Sequence, residues 1–220
     1  MKVDWSTFWQ RILEATGETI LMVILTLIFA SILGVGMGLL FFVTRKGNIL
    51  ENKYIFFFLN LAVNIVRPIP FIILLVAISP VTREVVGTTI GTAAAVFPMT
   101  IAASFAVARI VENNLVSIDP GIIEAAQAMG ASPFQIIFGV LIPEALGPLI
   151  LGLTFMTVGL IDFSAMAGTV GGGGLGDLAM AYGYQRFDTS VMIVTVLILI
   201  LLVQIAQFTG NYLSRVFLRR

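Results

Sequence analysis

The sequence predicts an all-α membrane protein with five transmembrane helices, and three observations support this fold class. Hydrophobic residues make up 59% of the 220 residues and charged residues only 11%, against about 25% charged residues in soluble domains. The mean hydropathy is +1.06. The apolar residues form long continuous stretches rather than the alternating segments of about ten residues that form barrel strands. Because a backbone in lipid must satisfy its own hydrogen bonds, we expect these stretches to be helices.

Five charge-poor stretches are each long enough to cross roughly 30 Å of hydrocarbon, which needs about 20 helical residues. Only Arg67 interrupts the second stretch, and only Asp162 interrupts the fourth. We therefore expect residues 1–220 to form a single transmembrane domain, with a polar segment at 109–144. The predicted spans cover about residues 19–43, 55–79, 85–108, 146–168 and 190–213.

The first span is predicted to be a retained helix rather than a signal peptide. The apolar core of a signal peptide has about 7–15 residues, whereas this stretch is longer and three acidic residues precede it. Residues 1–18 are expected to form a short amphipathic helix that lies on the membrane. Trp5 and Trp9 fit an anchor at the membrane interface, where Trp is enriched.

The distribution of Lys and Arg predicts the orientation of the chain. With five crossings, seven basic residues fall on one side and four on the other. The side with more basic residues is expected to be cytoplasmic, which places the C-terminus in the cytoplasm and the N-terminus outside. The seven are Arg45, Lys46, Lys53, Arg109, Arg215, Arg219 and Arg220, and the four are Lys2, Arg11, Arg83 and Arg186.

Composition excludes several classes of function. The 12 basic and 12 acidic residues give a net charge of zero, so there is no electrostatic basis for nucleic-acid binding. The chain has no Cys and no His, which excludes thiol chemistry, Ser-His triads and the usual zinc or haem ligands. A Gly-Lys-Ser/Thr nucleotide loop is also missing from the sequence. We therefore expect no enzyme activity and no cofactor on this chain.

The segment at 109–144 contains two helix start signals. Asp119 before Pro120, and Ser132 before Pro133, each combine a capping side chain with proline at the first helical position. Gly130 is expected to end the first of these helices and to form a sharp corner. The predicted short helices cover about 120–129 and 133–141.

Charge in this segment leaves two interpretations open. From Glu112 to Glu144 there are four acidic residues and no basic ones. A partner protein that supplies positive charge would explain this composition. A solvated hairpin that only links two spans would explain it equally well.

The same segment resembles the EAA motif of binding-protein-dependent ABC importer permeases. The resemblance rests on five points at fixed spacing, and the motif of that family ends in Ile-x-Leu-Pro, where this chain has two conservative departures. The five matching points are Glu124, Ala125, Ala126, Gly130 and Pro143, and the two departures are Val140 and Ile142.

The wider chain is similar to the permease subunits of methionine importers within that family. Matching stretches cover residues 64–75, 108–113, 124–130, 141–146 and 164–171. The resemblance implies a type I ABC importer permease fold with a cytoplasmic coupling-helix hairpin, in the bacterial cytoplasmic membrane. It implies a homodimer surrounded by lipid, two ATP-binding subunits that hold ATP and Mg²⁺, and an extracytoplasmic methionine-binding protein. The implied function is import of D- or L-methionine by alternating access.

Roles for the motif residues follow from the resemblance alone. The helix at 120–129 would dock in a groove of the ATPase, with Glu124 as the charged contact to an arginine of the partner. Ala125 and Ala126 would allow close approach, and Gly130 would set the corner. The remaining motif residues would seat the second helix against the membrane part, and these are Val140, Ile142 and Pro143.

Ionisable residues inside spans are candidates for the substrate pathway, because burying charge in a membrane is costly. Arg67 precedes two prolines, Pro68 and Pro70, that are expected to kink the second span or to end a helix before it. Arg67 could instead extend toward the cytoplasmic interface. Asp162 could contact a substrate ammonium group, relay a proton or pair with Arg67. Three further candidates share its helix, and they are Met156, Ser164 and Met166, although methionine there is also ordinary packing.

Glycine-rich stretches are predicted to be structural. The run at 168–176 does not follow a soluble strand, so a nucleotide loop is rejected in favour of a bend or of close packing between subunits. Gly34, Gly36 and Gly38 are expected to permit tight helix contact.

Two other functions fit the sequence less well. A permease for another amino acid or small solute would carry the same motif. An ion-coupled secondary transporter would use Asp162 and Arg67 and would show inverted repeats, but the two halves of the sequence show no convincing repeat.

Overall fold

The computed structural model describes residues 5–218, and within that range the regular structure is entirely helical. π-helical turns at Ile137–Leu141 and Ala179–Tyr184 join neighbouring helices. The α-helices are α1 (Trp5–Val43), α2 (Lys53–Val66), α3 (Phe71–Ala77), α4 (Ser79–Val86), α5 (Thr92–Val116), α6 (Pro120–Ala128), α7 (Pro133–Ile136), α8 (Ile142–Gly168), α9 (Gly174–Leu178) and α10 (Thr189–Leu218).

Four helical segments in the described range are long and apolar enough to cross a membrane, and a bent helix pair adds a fifth crossing. The four are α1, α5, Pro133–Gly168 and α10, and the pair is α2 with α3, which meet at 103°. α1 and α5 run parallel, since Gly34 lies against Val107 and Gly38 against Val111. The chain between two parallel helices must cross back, so the bent pair counts as one crossing and the expected total of five is confirmed.

The second span is interrupted as predicted, and the third span starts later than predicted. Within the predicted span at 55–79, α2 ends at Val66 and α3 starts at Phe71, directly after Pro70. The prolines break the span, as expected from the missing N–H and the fixed φ angle of proline. The third span begins at Thr92 rather than 85, because Gly87 ends α4 with a φ of 86°.

The N-terminal segment is not a separate helix lying on the membrane. α1 continues without a break from Trp5 to Val43, and residues 1–4 lie outside the described range. Phe8 and Ile12 are buried together with residues of α9 and α10, in a small core of their own. Apolar burial on one side of the segment therefore keeps it in line with the rest of α1, while Trp5 and Trp9 remain exposed.

The contact between α1 and α5 depends on two of the three predicted glycines. A Cβ atom at Gly38 would lie 2.5 Å from the backbone oxygen of Ala108, and one at Gly34 would lie 2.5 Å from Val107. A Cβ atom at Gly36 would meet nothing within 4 Å, so the predicted role of Gly36 in close contact is wrong. We call this contact the α1–α5 seam.

Contacts at the helix ends define two faces of the molecule. On the hairpin face, the loop at 44–52 adjoins residues 116–127, and Ser214 of α10 donates to the Gly147 carbonyl. On the glycine-loop face, Gly91 donates to the Gly171 carbonyl. Trp5 and Leu218 therefore lie toward opposite faces, as the odd number of crossings requires.

Candidate coupling hairpin and membrane-depth residues

Local hydrogen bonds hold both ends of α6. The Asp119 carboxylate accepts a hydrogen bond from the Gly121 N–H at 2.8 Å. At the other end Gly130 has a φ of 79°, and its N–H donates to the Gln127 carbonyl at 2.9 Å. The next residue donates to Ala126 at 3.1 Å, which completes a Schellman motif. The predicted start and stop of this helix are confirmed.

The second hairpin helix starts as predicted but does not end. Ser132 and Gln135 form a capping box, in which the Ser132 N–H donates to the Gln135 side chain at 2.8 Å. The expected end at 141 is wrong, because Pro133–Gly168 is one apolar helical segment of 36 residues. The π-helical turn at Ile137–Leu141 directly precedes Pro143, which has no backbone N–H to donate to the preceding turn.

The motif residues of α6 divide between two sides of the helix. Glu124 and Ala125 are exposed, whereas Ala126 is 4% exposed and belongs to the main core with Leu115 and Ile136. One residue along a helix turns the side chain by about 100°. The expectation that Ala126 gives close approach to a partner is therefore wrong, since its small side chain lets α6 lie close to its own subunit.

Later motif residues lie where the hairpin joins the membrane helix. Val140 and Ile142 are partly buried and pack against the main core, while Pro143 is exposed. This placement agrees with the expected seating of the second helix for Val140 and Ile142. No ligand or partner contact is needed to explain these two positions.

Large apolar side chains around α6 are exposed, and we call them the hairpin patch. Met129 is 82% exposed and Phe134 is 70% exposed. The rings of Phe134 and Phe138 lie 4.4 Å apart, and Ile122 is also exposed. A contiguous apolar patch on a polar segment marks an interaction site, so this composition favours the partner interpretation of the hairpin over a solvated linker.

The charge around Glu124 comes partly from its own chain. A groove of about 230 Å³ separates α6 from the loop after α1, and Arg45, Lys46, Glu124 and Gln127 line it. The sequence reasoning assigned these basic residues only to the orientation rule. Their position beside Glu124 makes the hairpin face a surface of mixed charge.

An ion pair that the sequence reasoning did not find joins three helices near the hairpin face. The Arg109 guanidinium lies 2.5 Å from the Glu112 carboxylate, one turn along α5. Arg109 also donates to Asn64 of α2 at 3.0 Å and stacks over the Phe41 ring of α1 at 5.2 Å. Glu112 is 4% exposed. The i, i+3 spacing of opposite charges was the available signal.

The predicted pathway residues do not form one surface. Met156 and Ser164 are buried in the subunit, where the Ser164 hydroxyl donates to the Ile161 carbonyl at 2.7 Å. Met166 is partly buried against the same core. Arg67 is exposed at the end of α2, and within residues 5–218 it forms no ion pair with Asp162. The suggested pairing of Arg67 with Asp162 is therefore wrong.

Asp162 lies apart from these residues, in a groove between α8 and α10. The groove has a volume of about 330 Å³, and among the described residues Asp162 is the only ionisable one that lines it. A charged side chain at membrane depth costs about 3 kcal/mol. The lining residues are Val158, Ile161, Asp162, Ala165, Val196, Leu199, Ile200, Val203 and Gln204.

The glycine run packs inside the subunit rather than only at a subunit contact. Glu18 accepts a hydrogen bond from the Gly174 N–H at 2.7 Å, and Thr19 accepts one from Leu175 at 2.9 Å. A Cβ atom at Gly176 would clash with the backbone of Ala165. The predicted bend is confirmed, and the role of Glu18 and Thr19 in holding it was missed.

Taken together, five apolar crossings and an exposed, doubly capped hairpin helix define a protein that spans the membrane several times and carries an ordered hairpin on one face. The chain belongs to the family described as "Binding-protein-dependent transport system inner membrane component", whose model matches residues 12–219. It is therefore a transport component of the inner membrane and not an enzyme, as predicted.

Individual relatives cover nearly the whole chain. A probable D-methionine transport system permease protein MetI of Vibrio cholerae is 48% identical over 204 residues, 93% of this chain and 91% of that protein. The Pasteurella multocida protein of the same description is 44% identical over 209 residues, 95% of this chain and 96% of that protein.

Solved structures confirm the predicted type I ABC importer permease fold. The inward-facing MetNI methionine ABC transporter in its native crystal form matches with a TM-score of 0.95 and 41% identity, over 98% of this chain and 99% of that chain. An amino acid ABC transporter with histidines matches with a TM-score of 0.80 and 19% identity, over 98% and 99% of the two chains. The second match supports the fold alone.

Proposed function

We propose that this chain is the membrane subunit of an ATP-driven importer that carries D- or L-methionine into the bacterial cytoplasm. Family membership supports the transport class, and the names of the relatives support methionine. The structural observation that carries the coupling role is α6, an exposed helix fixed at both ends and flanked by the hairpin patch.

Coupling to an ATPase follows from how the hairpin joins the membrane helices. Ala126 packs α6 into the main core, and Pro133–Gly168 continues from the hairpin across the membrane. A push on α6 would therefore move α8 as a rigid body rather than bend a flexible linker. Rigid-body motion of this kind is the usual basis of alternating access.

The partners in this proposal are a second copy of the chain, two ATP-binding subunits and an extracytoplasmic methionine-binding protein. The ATP-binding subunits hold ATP and Mg²⁺, since the sequence contains no nucleotide loop. Glu124 and Ala125 are exposed on α6 and would contact the ATPase, with Glu124 facing an arginine of the partner.

Orientation is part of the same proposal. The hairpin face carries the larger share of Lys and Arg, including Arg45 and Lys46 beside α6. By the positive-inside rule this face and the C-terminus are cytoplasmic, and the N-terminus is outside.

The test is co-purification with a methionine-importer ATPase, followed by uptake in proteoliposomes with the binding protein present. Glu124→Arg reverses the charge at the proposed contact, so we expect at least a tenfold loss of ATPase association and of ATP-dependent methionine uptake. Glu14→Arg is the matched control, because it reverses an exposed carboxylate on α1, away from the hairpin segment, and it should retain ATPase association. Methionine uptake driven by an ion gradient without any ATPase would contradict the proposal.

A further inference from the structure

The groove between α8 and α10 has the size and composition of a small-molecule site. Its volume of about 330 Å³ falls within the about 300–1,000 Å³ that such pockets occupy. Seven of its lining residues are apolar, and Asp162 and Gln204 are the two that are not. A mostly apolar pocket with a few polar groups is the usual composition of a ligand site.

The groove opens at membrane depth on an exposed stripe of α8. Phe155 is 78% exposed and Leu151 is 42% exposed, and both lie on the same side of the helix as Asp162. Leu160 and Ser164, on the other side, are buried. Asp162 precedes the end of α8 by six residues, roughly 9 Å along the axis. Asp162 therefore lies within the apolar span and not at its end.

Charge in the groove is uncompensated within residues 5–218. The Asp162 carboxylate forms no ion pair there, and no basic side chain lines the groove. The Asp162 side chain is exposed at the groove beside aliphatic residues. At membrane depth the low dielectric strengthens its attraction for a cationic group. The carboxamide of Gln204 can donate hydrogen bonds to an anionic group.

We propose that this groove binds the transported amino acid during its passage, with Asp162 receiving the ammonium group and Gln204 the carboxylate. The aliphatic residues Val158, Leu199 and Val203 would contact the unbranched thioether side chain. This inference rests on the proposed function and adds a substrate site to it.

The first test measures methionine uptake by the complete transporter in proteoliposomes with its binding protein. Asp162→Asn keeps the size of the side chain and removes its charge, so we expect at least a tenfold fall in initial uptake rate. Asp162→Glu should recover part of that rate. Glu14→Gln is the matched control, because it neutralises an exposed carboxylate on α1, outside both the groove and the hairpin segment, and it should transport like the wild type. Equal rates for Asp162→Asn and wild type would overturn the inference.

Ligand chemistry is tested by methionine binding to the permease–ATPase complex in nanodiscs. Methionine methyl ester keeps the ammonium group, so it should compete with labelled methionine. The des-amino analogue 4-(methylthio)butanoate should not compete at the groove. The quantity compared is methionine binding to the wild-type complex minus binding to the Asp162→Asn complex. Any binding to the ATPase subunits is common to both complexes and cancels in this subtraction. The assignment of the ammonium group to Asp162 would be overturned if wild type and Asp162→Asn bound methionine equally. It would also be overturned if the des-amino analogue competed as well as the methyl ester.

Whether a water-soluble reagent reaches the groove distinguishes a substrate site from a surface that lipid or a second subunit covers. The chain contains no cysteine, so Val203→Cys introduces a single thiol into the groove. We expect labelling by a water-soluble cationic thiosulfonate in the complete transporter, with at least threefold protection by methionine. No labelling would show that lipid or the second copy fills the groove, and labelling without protection would show that methionine does not bind there.

The two proposals fail in different ways. If the wild-type complex moves no methionine at all, the proposed function fails. If the wild type imports methionine with ATP while Asp162→Asn does so at the same rate, the function stands and only the groove assignment is lost.

Discussion

The α1–α5 seam and the hairpin at 117–136 are held together in opposite ways. In the seam, two helices far apart in sequence lie so close that the α1 backbone at Gly34 and Gly38 contacts both backbone and side-chain atoms of α5, which leaves no space for a side chain at either glycine. In the hairpin, the hydrogen bonds that cap the helices join residues only a few positions apart, as at Asp119 and Gly130.

This difference indicates how stability and motion are divided in the molecule. Steric contact along a seam is lost all at once, since helices forced apart at one turn separate at the next. Local caps contribute about 1 kcal/mol each and can be lost one at a time. Under the proposed function this division is useful, because the seam would keep the membrane helices together while the local caps keep α6 ordered enough to pass a push on to α8.

Substitution in the seam should have the largest effect. Gly38→Leu would place a side chain where even a Cβ atom lies 2.5 Å from the Ala108 backbone oxygen. We expect destabilisation of more than about 3 kcal/mol and little folded protein in detergent, measured by size-exclusion chromatography and thermal unfolding. Gly36→Leu is the matched control on the same helix, because a Cβ atom there meets nothing within 4 Å. Equal yields of the two variants would contradict the steric account of the seam.

The ion pair on α5, near the hairpin end of the seam, should have an intermediate effect. Glu112→Gln removes the buried charge beside Arg109, and we expect a loss of about 2 kcal/mol, typical of hydrogen bonds to charged groups. Thermal unfolding of the single variants and of the double variant with Arg109→Gln measures the coupling. The double variant should lose less than the sum of the two single variants. Simple additivity would show that the pair does not stabilise the fold.

Sequence alone predicted the hairpin in more detail than the membrane part. Proline after a capping side chain, and glycine at a corner, act through neighbouring residues, so the ends of α6 could be read from the sequence near Asp119 and Gly130. The continuation of the second helix past 141 was missed, because a π-helical turn before Pro143 depends on packing that a local pattern does not show.

In the membrane part, composition predicted that helices exist but not which sides of them meet. Every residue of an apolar span is compatible with lipid, so hydropathy did not distinguish the tightly packed Gly38 from the open Gly36. The same limit applies to the pathway residues. Met156 and Ser164 face the core while Asp162 faces a groove, and only the rotation of α8 against α5 and α10 separates them.

The hairpin corner should show the smallest effect of the three and complete the comparison. Gly130 has a φ of 79°, a region that costs a residue with a side chain about 1 kcal/mol. Gly130→Ala should therefore leave the thermal unfolding of the membrane part unchanged. Its effect should appear as faster hydrogen exchange at residues 120–131 and as weaker ATPase association.

Gly139→Ala is the matched control, because its φ is not positive and a Cβ atom there meets nothing within 4 Å. If Gly130→Ala lowered the unfolding temperature as much as a seam substitution, the hairpin caps would belong to the same cooperative unit as the seam, and the division between seam packing and local caps would be wrong.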